Sequence, residues 1–106
     1  IKTFWGFYMY GTIFNIKVKE GHEQLLLDLF KQSERVPKGM IAWFLMDPDE
    51  DKDWIGVAIF ESKEAHLSNA NDPEQGAQFT QLMEHIKEEP TWTDGTFVIS
   101  EIMQAG

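Results

Sequence analysis

Trp54-Ile55-Gly56-Val57-Ala58-Ile59-Phe60 is the stretch on which the fold turns. It holds β-branched and aromatic residues without Pro, the composition of a strand. Side chains alternate between the two faces of a strand. Ile55, Val57 and Ile59 therefore share one face, while Gly56 and Ala58 share the other with Trp54 and Phe60. Both faces are apolar and both need cover. The face that mixes small residues with aromatic rings leaves space above the sheet.

Working outward, Asp47-Pro48-Asp49-Glu50-Asp51-Lys52-Asp53 is an acidic turn, and Met40 to Met46 before it is a short apolar strand, expected to be covered on both faces. Tyr8 to Val18 is a further strand, and Lys19-Glu20-Gly21 ends it. His22 to Arg35 carries Leu25, Leu26, Leu29 and Phe30 as one helical stripe, stopped at Val36-Pro37-Lys38-Gly39. Downstream, Ser62 caps a short helix through Ala70. Asp72-Pro73-Glu74-Gln75 starts another, with Asp72 as cap, Pro73 in the first turn and Gln75 placed to reach back. Phe79, Leu82, Met83 and Ile86 form its stripe, and Pro90 stops it. Asp94-Gly95 is expected to be a turn, with Thr96 to Met103 as the last strand. The opening Ile1 to Tyr10 is expected to be an ordered arm or strand lead-in.

The order β-α-β-β-α-β predicts one ferredoxin-like α+β domain over residues 1–106, with a core at about 8–103. Its four-stranded antiparallel sheet has helices on one face. Those helices leave the Ile55-Val57-Ile59 face bare, and a second copy of the same sheet is the simplest cover. A homodimer through the sheet face is expected.

The chain has 106 residues, 42% of them hydrophobic and 13% aromatic, which suits a folded globule. Its net charge of −9 argues against a nucleic-acid partner or an anionic membrane surface, since both need a basic face. There is no Cys, which excludes disulfides, thiolate metal sites and a Cys nucleophile. No apolar run approaches a membrane span, and a cytoplasmic location is the expectation. The acidic turn begins like a calcium loop, but Lys52 stands where that loop needs Gly and Ala58 where it needs Glu. His22, His66 and His85 lie on three different helical segments with no paired spacing, so no metal is expected.

Three stretches carry a family likeness: Gly11 to Gly21, Trp54 to Ala65, and Asn71 to Gln75 together with Glu89 to Gly95. They resemble the antibiotic-biosynthesis-monooxygenase-like proteins of the dimeric α+β barrel superfamily. The resemblance implies ferredoxin-like subunits paired through their sheets and a pocket between sheet and helices. Such proteins include cofactor-free oxygenases of aromatic or quinol-like compounds, haem-degrading enzymes, and proteins without a known substrate. The haem-degrading set of Asn, Trp and His is not reproduced. Phe60 replaces the Trp, Asn15 has the wrong strand parity, and His85 falls off the apolar stripe and is expected to face solvent.

Two functions from different classes follow. The first is a monooxygenase-like protein, needing no cofactor, that acts on a small hydrophobic aromatic or quinol-type ligand. His66 is its candidate catalytic base, because an imidazole exchanges protons readily near neutral pH. Tyr10, Phe14, Trp43, Phe60, Phe79 and Met83 are its candidate ligand-binding residues; Tyr8 belongs to the same aromatic set. The second is a non-catalytic ligand-binding or structural homodimer, in which His66 only fills the rim of the helix layer. The space above Gly56 and Ala58 divides them: Phe14, Phe79 and Met83 fill it, or a cavity remains.

Overall fold

The computed structural model describes residues 2–4 and 8–103. Of the aromatic opening, Ile1 and residues 5–7 lie outside the described residues. The elements run β1 Lys2–Phe4, β2 Tyr10–Ile16, α1 Glu23–Gln32, β3 Met40–Met46, β4 Trp54–Phe60, α2 Lys63–Ala70, α3 Pro73–Met83, β5 Thr91–Thr96 and β6 Glu101–Met103. Strands β2 to β5 form an antiparallel sheet in the order β3-β4-β2-β5, the ferredoxin-like α+β arrangement. β1 and β6 pair separately as a two-stranded ribbon.

Local chemistry sets the helix starts as expected. The Ser62 hydroxyl accepts from the Ala65 N–H at 3.1 Å, and an Asp72 carboxylate oxygen accepts from the Glu74 N–H at 2.8 Å. Gln75 does not reach back to its cap, because Arg35 and Asn69 engage its side-chain oxygen instead. Gly39 has φ +81, a left-handed conformation that favours glycine, so the chain turns there into β3.

The core joins Phe14, Ile16 and Trp54 of the sheet to Leu26 of α1, Leu82 of α3 and Ile86. The α1 stripe is narrower than expected: Leu26 is fully buried, but Leu25 is 52% exposed. α3 ends at Met83, and buried Ile86 bridges to Val18 beyond it.

Two expectations are corrected. The strand that completes the sheet is Thr91–Thr96, and Asp94-Gly95 lies within it, opposite Thr12 and Gly11 of β2. β5 is an edge strand, where an exposed Asp is tolerated and even useful against further pairing; its Thr and Trp residues supply the strand preference. The second correction concerns β3. It is the opposite edge, and Trp43, Phe44 and Met46 are largely exposed in the single chain, so it is not covered on both faces.

Candidate functional site

A cleft of about 540 Å³ lies between the sheet and the three helices. The register explains why it is there. Trp43, Ala58, Thr12 and Asp94 stand in one row across all four strands, and all four line the cleft. The neighbouring rows carry larger groups: Leu45, Phe14 and Trp92 around Gly56 on one side, Phe60 and Tyr10 on the other. Two small central residues flanked by rings leave a hollow that close packing would otherwise remove.

The space foreseen above Gly56 and Ala58 divides in two. A methyl group at Gly56 would run into the Phe14 ring, so Phe14 fills that half. The half above Ala58 stays open. Phe14 in turn meets Trp92 at 5.1 Å between ring centroids, and Trp92 lies 6.4 Å from Phe79. Across the cleft, Phe30 of α1 packs on Trp43 at 5.2 Å.

His66 projects from α2 into the remaining corner. Its ring centroid is 5.4 Å from that of Tyr10 and 5.3 Å from that of Phe60, which fixes its plane between two aromatic walls. Its Nδ1 is buried, with no hydrogen-bond partner among the described residues, and so is the hydroxyl of Thr12, a residue only 4% exposed. Both residues line the same cleft. A buried polar atom left unpaired costs about 1–3 kcal/mol, a cost that an ordered water or a small turn of either side chain would relieve.

The rim is polar and held from behind. Arg35, between α1 and β3, donates to the side-chain oxygens of Gln75 at 3.1 Å and Asn69 at 2.6 Å, and its charge is met by Asp72 and Glu74 at 3.3 Å each. Asn69 and Gln75 line the cleft. Gln78, also in the lining, donates to the Ser33 hydroxyl at 2.7 Å.

Of the residues foreseen for the site, Phe14, Trp43, Phe60, Phe79 and His66 line the cleft. Tyr10 stands behind His66, with the Lys63 ammonium 6.0 Å from its ring centroid, and Met83 packs against the core; neither is part of the lining. Tyr8 is 67% exposed, ahead of β2. Thr12, Asp94 and Trp92 were not foreseen. The alternation of β2 could have exposed Thr12, which shares the inward face with Tyr10, but Asp94 was hidden by the misplaced last strand.

His85 does not face solvent. It is half-buried, its Nδ1 3.1 Å from that of His22, one imidazole donating to the other. Among the described residues, no three of His, Cys, Asp and Glu are placed to hold a metal ion. Asn15 lies on the sheet face away from the helices and is exposed, as its parity implied. The charged pair Lys17–Glu88, at 2.8 Å, is on the surface. Its hydrogen bond, reinforced by attraction between the charges, holds the Glu88 carboxyl below and the Lys17 ammonium above their ordinary values.

The architecture is thus an α+β domain of ferredoxin-like topology with an aromatic cleft between sheet and helices. No protein-family model matches the chain, and no curated protein matches it in sequence. Solved structures match it over nearly its whole length. A candidate antibiotic biosynthesis monooxygenase from Bordetella bronchiseptica aligns with a TM-score of 0.75 at 17% identity, covering 88% of this chain and 100% of that one. Another, from Chloroflexus aurantiacus, gives 0.64 at 18%, covering 92% and 97%. A protein of unknown function from Nitrosomonas europaea gives 0.73 at 15%, covering 93% and 97%. The chain has the antibiotic-biosynthesis-monooxygenase-like fold. Among the described residues, no helix is long and apolar enough to cross a membrane.

Proposed function

We propose that the chain is a monooxygenase-like protein that needs no added cofactor and oxidises a small aromatic phenol or quinol-type compound in the cleft. The observation that carries this reading is the place of the His66 ring, set between Tyr10 and Phe60 and lining an aromatic hollow. The rings of Phe14, Phe60 and Trp43 would hold a flat ligand by stacking and edge contacts. His66 would take the phenolic proton. The resulting anion can give one electron to molecular oxygen, and radical and superoxide then combine at a ring carbon. Loss of water leaves a quinone: one oxygen atom stays as the new carbonyl, and the other departs with the O–H and C–H hydrogens. The substrate supplies all the electrons.

The bare sheet face supports a homodimer. Ile13, Phe44 and Met46 are exposed there, and Ile55, Val57 and Ile59 are half-buried. An identical uncharged face is the cover that a chain of net charge −9 can offer itself without meeting its own acidic surface.

The test is oxygen uptake with naphthol under isotope-labelled oxygen. The expected result is a naphthoquinone carrying one labelled atom, formed much more slowly by His66→Gln. Tight naphthol binding without oxygen uptake would support the second reading, a non-catalytic binding protein of the same fold. One observation favours that reading: among the described residues no side chain bonds to His66 to orient it as a base.

A further inference from the structure

We propose that His22 and His85, outside the cleft, form a two-imidazole chelate for a divalent late transition-metal ion. Neither residue lines the cleft. They are 63 positions apart in the chain, and the fold brings their Nδ1 atoms to 3.1 Å.

Backbone bonds hold the two residues in place. Val18 bridges antiparallel to Ile86, and the Lys87 N–H donates to the Lys17 carbonyl at 2.8 Å. The Lys19 N–H donates to the carbonyl of His85 itself at 2.9 Å. His22 is fixed on both sides: its N–H donates to the Lys19 carbonyl and its carbonyl accepts from the Leu26 N–H, each at 2.9 Å. A residue at the start of a helix commonly turns its side chain to cap that helix. His22 stands at the start of α1 and makes no such bond; its imidazole meets His85 instead.

The spacing fits an ion. Imidazole nitrogens bind zinc at about 2.0–2.1 Å, so two of them 3.1 Å apart subtend about 95–102° at the metal. That lies between the octahedral and tetrahedral angles. Without an ion one ring donates to the other, and the centroids, 5.4 Å apart, set the two nitrogens face to face. Binding uses both Nδ1 lone pairs. The shared proton passes through water to Nε2 of its own ring, a neutral pair loses no proton, and each ring turns toward the ion. Both side chains are only half-buried, so solvent reaches them.

No third His, Cys, Asp or Glu completes the set among the described residues, so water fills the other positions. Imidazoles with water suit copper(II), nickel(II) and zinc(II), whereas magnesium takes oxygen ligands. Exposed Glu20, Glu23 and Glu84 adjoin the pair in sequence or nearly so, in a chain of net charge −9 that draws cations. The Lys19 ammonium, which would oppose an ion, is engaged by the Glu84 carbonyl at 3.0 Å. A bound ion would clip the start of α1 to the segment after α3. Those two helices carry Phe30 and Phe79 over the cleft.

Calorimetric titration of the intact, untagged chain, first stripped with a chelator, tests this with nickel(II), zinc(II) and magnesium(II). Nickel and zinc are expected to saturate at one ion per chain, and magnesium is expected not to bind. His22→Asn and His85→Asn should each weaken nickel binding more than about tenfold, since even the partners behind a metal ligand are worth that much. His66→Gln should leave it unchanged. Should a variant fail to fold, long-range proton–nitrogen spectra of the zinc-loaded intact chain decide: Nδ1 of His22 and His85 should shift together, with the protons on Nε2. Magnesium binding as tight as nickel would reveal a general pull of the acidic surface and overturn the site. Nickel binding that survives in either variant overturns it too. So does an absence of binding, which would leave the pair a hydrogen bond between two segments. None of these outcomes touches the cleft, so the oxidation proposed there stands or falls separately.

Discussion

Replacing Ala58 with Phe, beside Gly56 with Ala, asks whether the hollow is real. The two positions are neighbours on one face of β4 and differ in what lies above them. Above Gly56 is the Phe14 ring, which a single added methyl would strike. Above Ala58 is the open cleft of about 540 Å³. Overpacking a filled core costs about 1–3 kcal/mol, whereas burying a phenyl side chain in free space gains up to about 1.5–3 kcal/mol. Because the cleft is open to water, only part of that gain is expected. At about 4–8 °C per kcal/mol for a domain of this size, Gly56→Ala should lower the melting temperature by several degrees. Ala58→Phe, the far larger change, should leave it level or raise it, and should abolish naphthol binding. Thermal melts with and without naphthol read both effects. A clear drop in the melting temperature of Ala58→Phe would mean that the space is already filled, and the argument from the register would be refuted.

Arg35→Met should destabilise the fold by about 2 kcal/mol, because two part-buried amide oxygens lose a charged donor; denaturant unfolding measures this, and wild-type stability would show the clamp to be idle. Val57→Asp should dissociate the expected homodimer or unfold it, since the carboxylate would enter the joined sheet faces unpaired; sedimentation of a wild-type-like dimer would place the interface elsewhere. Lys17→Met should leave stability unchanged between mildly acidic and mildly basic pH. The lowered Glu88 value gives stability that is lost only as pH falls through it, and the raised Lys17 value gives stability lost only as pH rises through it. Both groups are half or more exposed, so solvent screens what remains; a pH-dependent gap between the two proteins would contradict this.

What could be seen from the sequence was local. Strand β4 and its two faces, the caps at Ser62 and Asp72 and the break near Asn71 all follow from alternation, capping and proline chemistry within a few residues. The last strand was misjudged because Asp94-Gly95 is a strong turn signal on local grounds, and only the pairing of Gly95 with Gly11 overrides it. The same long-range pairing brings Asp94 beside Thr12, so the β5 side of the cleft floor was hidden with it. His22 and His85 met for a similar reason: the segments that follow β2 and α3 are tied by the Lys19 N–H donating to the His85 carbonyl at 2.9 Å, a contact that no spacing announces. The aromatic walls were foreseen as a set, but which rings face the hollow depended on Phe14 folding over Gly56. That is a packing outcome, beyond the reach of strand parity.

The central claim is that a flat aromatic compound enters the cleft above Ala58 and engages His66. A proton–nitrogen correlation titration with naphthol on the isotope-labelled chain tests it most directly, because every backbone amide reports at once. The account predicts saturable shifts gathered at Thr12, Ala58, His66, Gly76 and Trp92, around the one hollow. Shifts gathered instead at Ile13, Phe44 and Val57 on the bare sheet face, or no saturable shifts at all, would contradict it.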